Sequence, residues 1–246
     1  MAGVSPGGAR AANPTPAVRR WEGPEGRRVD GPRWTRALVA LHVGVALLAA
    51  VVVPTLRIGV AALLVVGAYE VGVLVVAVVT RDRPLLRLWW FAAALSLWQV
   101  LPDQVLVEVV GSLRFPPDGV PDIGAVTLPM AGMWMMPTVL VVLAGEAVRR
   151  RAGPGPAVAG AAGVALLVFA AAETVIPRLG VWEPVDVPTV GTVAPYVLVA
   201  EVLLGAVLWL AWRADRSGPP WWTPLVAGLV SLTYTGAAVS SWLLLA

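Results

Sequence analysis

Four acidic side chains lie inside or against otherwise apolar, membrane-length segments: Glu70, Asp103, Glu173 and Glu201. Placing a carboxylate in lipid costs kilocalories, so such residues usually face a protein interior and carry a function. A carboxylic acid that stays neutral in apolar surroundings can donate its proton to an alkene. A second, ionised carboxylate or an aromatic face can then stabilise the cation that forms. These four are the candidate catalytic residues. The alternative for Glu70 and Glu201 is an interhelical hydrogen bond; for Asp103 and Glu173 it is hydration near a membrane surface. Gln99 stands one helical turn before Asp103 and should share its face. Trp98 and Trp134 lie deeper than an interfacial belt and could line a cavity or fill a core. With Tyr196 they complete the candidate substrate-binding set.

Other chemistries find no foothold. The chain has no cysteine and one histidine, His42, which leaves no thiolate or multi-histidine metal site within it. No phosphate loop, Ser/His/Asp arrangement, acidic metal cluster or paired aspartate-rich motif is present, so neither cofactor nor metal is expected. All 18 basic residues are arginine. None forms a basic stripe interleaved with exposed aromatics, so the basic balance does not point to nucleic acid. His42 reads as a packed or hydrogen-bonded residue and Glu146 as an interfacial ion pair with the arginines after it. Glu108, Asp118, Asp122, Glu183 and Asp186 are expected to face external water. Met130, Met133, Met135 and Met136 offer a flexible apolar lining.

The elements that must position these residues are membrane spans. The chain is 58% hydrophobic and 13% charged, about half the charge of a soluble domain. Apolar runs of roughly 20 residues fall at 37–55, 58–79, 86–110, 126–147, 157–176, 192–212 and 222–245. The expected fold is therefore all-α, a polytopic bundle of seven transmembrane helices. Residues 1–36 are rich in Pro, Gly, Ala and Arg without hydrophobic periodicity and read as a disordered basic tail. Fifteen arginines fall in the tail and the loops on its side of the membrane, against three on the other side. The positive-inside rule then puts the N-terminus in the cytoplasm and the C-terminus outside a cell membrane. Trp34, Trp89, Trp90, Trp209, Trp212, Trp221 and Trp222 fall at the cytoplasmic ends and fit an interfacial belt. Arginine without lysine, with abundant Ala, Val, Gly and Pro, fits a GC-rich bacterial genome.

The chain also repeats itself. The stretch from Phe115 to Val126 can be laid on the stretch from Trp182 to Val193 at a constant offset, pairing Pro117 with Pro184, Pro121 with Pro188 and Gly124 with Gly191. Two spans separate the copies, so spans 3–4 and 5–6 form a tandem parallel repeat, about 86–150 and 155–213. Such repeats commonly build a site at their shared interface.

These repeats resemble the lycopene cyclase domain of small integral-membrane carotenoid enzymes. In that family each copy has an acid in a span, an external aromatic and proline loop, and an Ile-Gly-x-Ile-Pro-x-acid-acid start to the next span. Ile123-Gly124-Ala125-Val126-Thr127-Leu128 and Val190-Gly191-Thr192-Val193-Ala194-Pro195 look like the two starts. Leu143 to Arg150 is similar to the family's end of the following span, and Asp103 and Glu173 match the acid before each loop. The positions of the family's acidic pair carry Pro129 and Met130 in one copy and Tyr196 and Val197 in the other. The resemblance, which covers about 86–213, implies an isomerase-type cyclase of terpenoids or carotenoids. It would work without a cofactor by protonating a polyprenoid dissolved in the bilayer and admitted between spans 3–6. Glu201 or Glu70 would then be the acid. Trp98, Trp134 and Tyr196 would shield the cation, and Asp103 or Glu173 would accept or direct the proton. The alternative is a non-catalytic membrane protein: a lipid-binding or assembly factor, or a small proton-coupled transporter. Either could work as a homo- or hetero-oligomer.

Overall fold

The computed structural model describes residues 34–246. The tail expected over 1–36 lies, as far as residue 33, outside the described residues. Seven helical segments are long and apolar enough to cross a membrane. The first two are unbroken: α1 (Trp34–Val52) and α2 (Ile58–Val79). The third, Arg83–Val110, is α3 (Arg83–Trp98), α4 (Val100–Val105) and a π turn (Leu106–Val110). The fourth, Met130–Ala152, is α5 (Met130–Met133) and α6 (Met135–Ala152). The fifth is α7 (Pro154–Val175) with a 3-10 turn after it, the sixth α8 (Pro195–Asp215), and the seventh ends in α9 (Thr223–Leu245). The protein is thus an all-α, polytopic integral membrane protein.

Side-chain periodicity explains how these helices lie. On α1, Val39, Val43, Leu47 and Val51 are exposed at i, i+4 spacing, while Leu38, Val45 and Val52 are buried on the other side. The outward stripe needs no partner in lipid, and the inward one meets α2. Between α7 and α8 the contact is made by small residues. Ala157, Ala161 and Ala165 are fully buried, and Gly205 lies so close to Ala165 that no side chain would fit between them. Close backbone approach of this kind replaces the hydrophobic drive that lipid cannot supply.

Two helices are broken, each next to a proline. Pro102 has no N–H to give the carbonyl of Trp98, and the Ser231 hydroxyl of α9 donates to that oxygen instead, at 2.8 Å. Pro137 likewise follows the break at Trp134, where the Thr138 hydroxyl donates back to the Trp134 carbonyl. Gly153, at φ +90°, ends α6 and turns the chain straight into α7.

The repeat is visible in the backbone. Ile123 pairs with Val126 between β2 (Asp122–Ile123) and β3 (Val126–Thr127), and Val190 pairs with Val193 in the same way. The glycine after each first partner has nearly the same positive φ, +66° at Gly124 and +67° at Gly191. A glycine at the first central position followed by a non-glycine is the pattern of a type II′ turn. These turns occupy the residues just before α5 and α8. The fourth and sixth helices therefore start at Met130 and Pro195, three or four residues later than the apolar runs suggest. The loops of the two copies are joined antiparallel, β1 (Leu113–Arg114) to β4 (Glu183–Pro184), with Arg114 ion-paired to Glu183.

Asp118 was expected in water and is instead buried. It accepts from the Thr127 hydroxyl and the Val120 N–H, while its carbonyl accepts from the Gly59 N–H at the start of α2. Trp209 and Trp212 are core residues rather than belt residues, with 2% and 3% of their surface exposed. Trp90 and Trp221 do stand exposed.

Candidate functional site

The two ends of the bundle treat acidic side chains differently. At the arginine-rich end, Asp215 is completely buried at the last turn of α8. Arg87 grips it with a two-pronged contact, Nε to Oδ2 at 2.8 Å and Nη2 to Oδ1 at 3.0 Å, and the Thr223 hydroxyl adds a third bond at 2.8 Å. Glu146 sits close by with Arg149, Arg213 and Arg216 around it. The expected ion pair of Glu146 is therefore present, with two partners from α8 and the loop after it. Both acids are ion-paired, Glu146 Oε1 only at 3.6 Å from Arg213 and without a hydrogen bond, and they hold α3, α6, α8 and α9 together.

Near the hairpin end the acids line a cavity of about 400 Å³. Asp103, Glu173 and Glu201 all open onto it, with Tyr196 and Tyr234. The elements explain their convergence. Asp103 follows the break at Pro102, Glu173 lies in the last turn of α7, and Glu201 is in the second turn of α8. Each stands six or seven residues from its span's hairpin end, about 10 Å along a helix axis. Glu201 thus shares the depth of the other two rather than lying at mid-membrane, because α8 starts at Pro195.

Asp103 and Glu201 are 4% and 3% exposed, yet Asp103 Oδ2 and Glu201 Oε2 find no hydrogen-bond partner among the described residues. Leaving such an atom unpaired costs roughly 1–3 kcal/mol. Neither oxygen makes a helix-joining hydrogen bond among the described residues. The Trp134 indole approaches Asp103 without reaching hydrogen-bond geometry, and Trp182 stands similarly beside Glu173. The Tyr196 hydroxyl donates to Ser112 Oγ at 2.8 Å. Trp134 is flanked by Phe169 and Tyr234, with ring centroids 5.3 and 5.4 Å away. Met130, Met133 and Met136 add to the lining. No three acids converge tightly enough to form a metal-ligand set among the described residues.

Of the eight residues singled out in the sequence, the cavity gathers five: Asp103, Glu173, Glu201, Trp134 and Tyr196. The other three lie elsewhere. Glu70 sits at mid-span in α2, half-buried, with its carboxyl oxygen against Gly132. Its own carbonyl accepts from the Trp89 indole at 3.0 Å. Trp98 is 42% exposed on the outer face of α3 and packs over Gly228. Gln99 is buried one turn before Asp103, but it faces Ser231 of α9, whose hydroxyl is 3.5 Å from its Oε1. Tyr234, Phe169 and Trp182 were missed in the sequence. Nothing sets a lone aromatic in an apolar helix apart from a packing residue. The two prolines that break helices beside the site were the available signal. His42 is packed as expected, its Nδ1–H donating to the Leu38 carbonyl and its Nε2 accepting from the Tyr69 hydroxyl.

These features define a class: a seven-helix membrane protein whose duplicated central hairpins enclose an acidic, aromatic-walled cavity. Residues 100–245 match the family described as a domain of unknown function, DUF6989, and the chain, more than half of which is matched, belongs to that family. No curated protein and no solved structure matches the chain.

Proposed function

We propose that the protein is an isomerase-type cyclase acting on a lipid-soluble polyprenoid by proton donation. The observation that carries this reading is the set of three carboxyl groups, two with unpartnered buried oxygens, facing one apolar cavity walled by aromatic rings. Glu201 is the proton donor. Its O–H proton goes to the CH carbon of a trisubstituted prenyl double bond, leaving a tertiary cation on the dimethyl-bearing carbon at the chain end. The π electrons of a second double bond in the chain close a ring onto that cation. Asp103 or Glu173, as the carboxylate, removes a proton beside the relocated cation and restores a double bond. Mass is conserved and no electron acceptor is consumed. Trp134, flanked by Phe169 and Tyr234, presents a π face to the cation, and each such contact contributes about 0.5–2 kcal/mol. Glu70 has no part in the step.

The resemblance to the lycopene cyclase domain supports the same reading. Met130, Tyr196 and Val197 stand where that family carries acids, and all three line the cavity. Glu201 follows Val197 by one helical turn and lines it too. In this proposal the acid has moved one turn along the same face. With the arginine-rich end in the cytoplasm, the cavity lies in the outer half of the membrane.

Expression in a lycopene-accumulating bacterium, with chromatography and mass spectrometry of the extracted lipids, tests the proposal. A new species of unchanged mass and altered absorption, lost in Glu201→Gln, is the expected result. If lycopene and a panel of shorter polyprenoids stay unaltered while the protein is present in the membrane, the cavity holds a lipid without converting it.

A further inference from the structure

The wall of the cavity has two characters. Its inner side is buried and carries Asp103, Glu201 and Tyr234. Its outer side is made by half-exposed apolar residues, Ala62 and Val65 of α2 and Val168 and Ala172 of α7 among them. Helix α1 packs along α2, α2 along α3, and α6 along α7; α2 also meets the short α5, where Val66 and Glu70 stand against Gly132, but it makes no comparable packing with α6 or α7. The cavity therefore opens sideways toward lipid through a slot with α2 on one side and α6 and α7 on the other. This route differs from the entry between spans 3–6 that the resemblance implies.

We infer that a neutral prenyl chain enters this slot end first, and that the first two spans are the gatepost that admits it. The inference rests on the cyclase reading for the chemistry of the chain, and on the slot for its route. Two observations fix the occupant. No basic residue is among the described residues lining the cavity, and a buried diphosphate without cations would carry a prohibitive desolvation cost. At about 30 Å³ for a group the size of water, the cavity of about 400 Å³ takes roughly a dozen carbons, about two to three prenyl units. A longer polyprenoid then leaves its remaining length in the bilayer, passing between α2 and α7. Only one end of such a chain can react at a time.

The test uses the full chain in nanodiscs with farnesol carrying a diazirine at its far prenyl end. Irradiation followed by peptide mass spectrometry is expected to place the adduct on the inner wall, around Trp134 and Tyr234. Unlabelled farnesol should compete and farnesyl diphosphate should not. Ala62→Trp and Ala172→Trp, which fill the slot from either side, should each lower inner-wall labelling at least tenfold. Leu64→Trp, on the exposed lipid face of α2, should leave it unchanged. Labelling that survives both slot substitutions, labelling equally lost in Leu64→Trp, competition by the diphosphate, or no labelling of the inner wall would each overturn the inference. Product analysis on the same samples separates the two ideas. Slot-dependent labelling without any isomeric product sinks the cyclase and keeps the slot. Product formed by variants with a filled slot sinks the slot and keeps the cyclase.

Discussion

Asp215 and Glu201 are both buried acids of α8, and they sit at opposite ends of it. Asp215 has a bidentate arginine and a hydroxyl; Glu201 has an oxygen without a partner and an open cavity. A buried charge that is fully paired holds a structure in place, because losing either partner strands the other. A buried acid left unpaired adds nothing to stability and is free to exchange its proton. The same helix therefore carries a clasp at one end and, in the function proposed above, the proton donor at the other, and the surroundings decide which is which.

Substitutions can break this contrast in order of expected effect. Glu201→Gln should lower turnover by about 10²–10⁴-fold, the usual range for a general acid, while the melting temperature in detergent stays within a few degrees. Equal losses of activity and stability would make Glu201 another clasp. Arg87→Met should do the opposite. It leaves Asp215 buried without its cation and should cost about 3–5 kcal/mol of stability, read by thermal unfolding. The double variant Arg87→Met/Asp215→Leu should recover most of that loss. Trp134→Leu sharpens the comparison further, since it removes a π face and leaves every carboxyl in place. Turnover should fall by roughly 3–30-fold, the equivalent of about 0.5–2 kcal/mol, with binding of the photoreactive farnesol retained. A last pair of substitutions, read in stability alone, compares the two turns. Gly191→Ala should cost about 1–2 kcal/mol for its positive φ. Gly124→Ala should cost more, because a Cβ there would also displace Gln104, whose Oε1 accepts from the Ala125 N–H at 3.0 Å.

Much of this architecture was legible in the sequence. Apolar length gave seven spans, and the offset from Phe115 to Trp182 gave two copies whose turns agree in φ to a degree. Asp103 and Glu173 each precede a loop of the repeat, although the first stands three residues further from its loop than the second. The structure supplies a reason, since the first copy leaves the membrane through a wide π turn and the second through a tight 3-10 turn. What sequence could not fix was azimuth. Hydropathy reports how deep a residue lies in a helix that is apolar all round, but not which way it points. Trp98 and Trp134 looked alike for that reason, and one faces outward while the other stands over Asp103. Glu70, at mid-span as its position in the sequence suggests, lies off the cavity for the same reason. Asp215 was overlooked because, at the end of a span beside Arg213 and Arg216, it reads as a solvated charge. Its burial depends on Arg87, far away in the sequence.

Gly153 has consequences of its own. It sits in open space between α6 and α7 at the arginine-rich end, with no atom within 4 Å of where a side chain would begin. The chain is divisible there. One fragment would carry Asp103 and Trp134; the other would carry Glu173, Tyr196, Glu201 and Tyr234. The second fragment holds the proposed donor but lacks Trp134 and Asp103, and the first lacks the donor, so full activity should emerge only when both fragments are made in the same membrane. The molecule behaves, in that sense, as a heterodimer that happens to be written as one polypeptide.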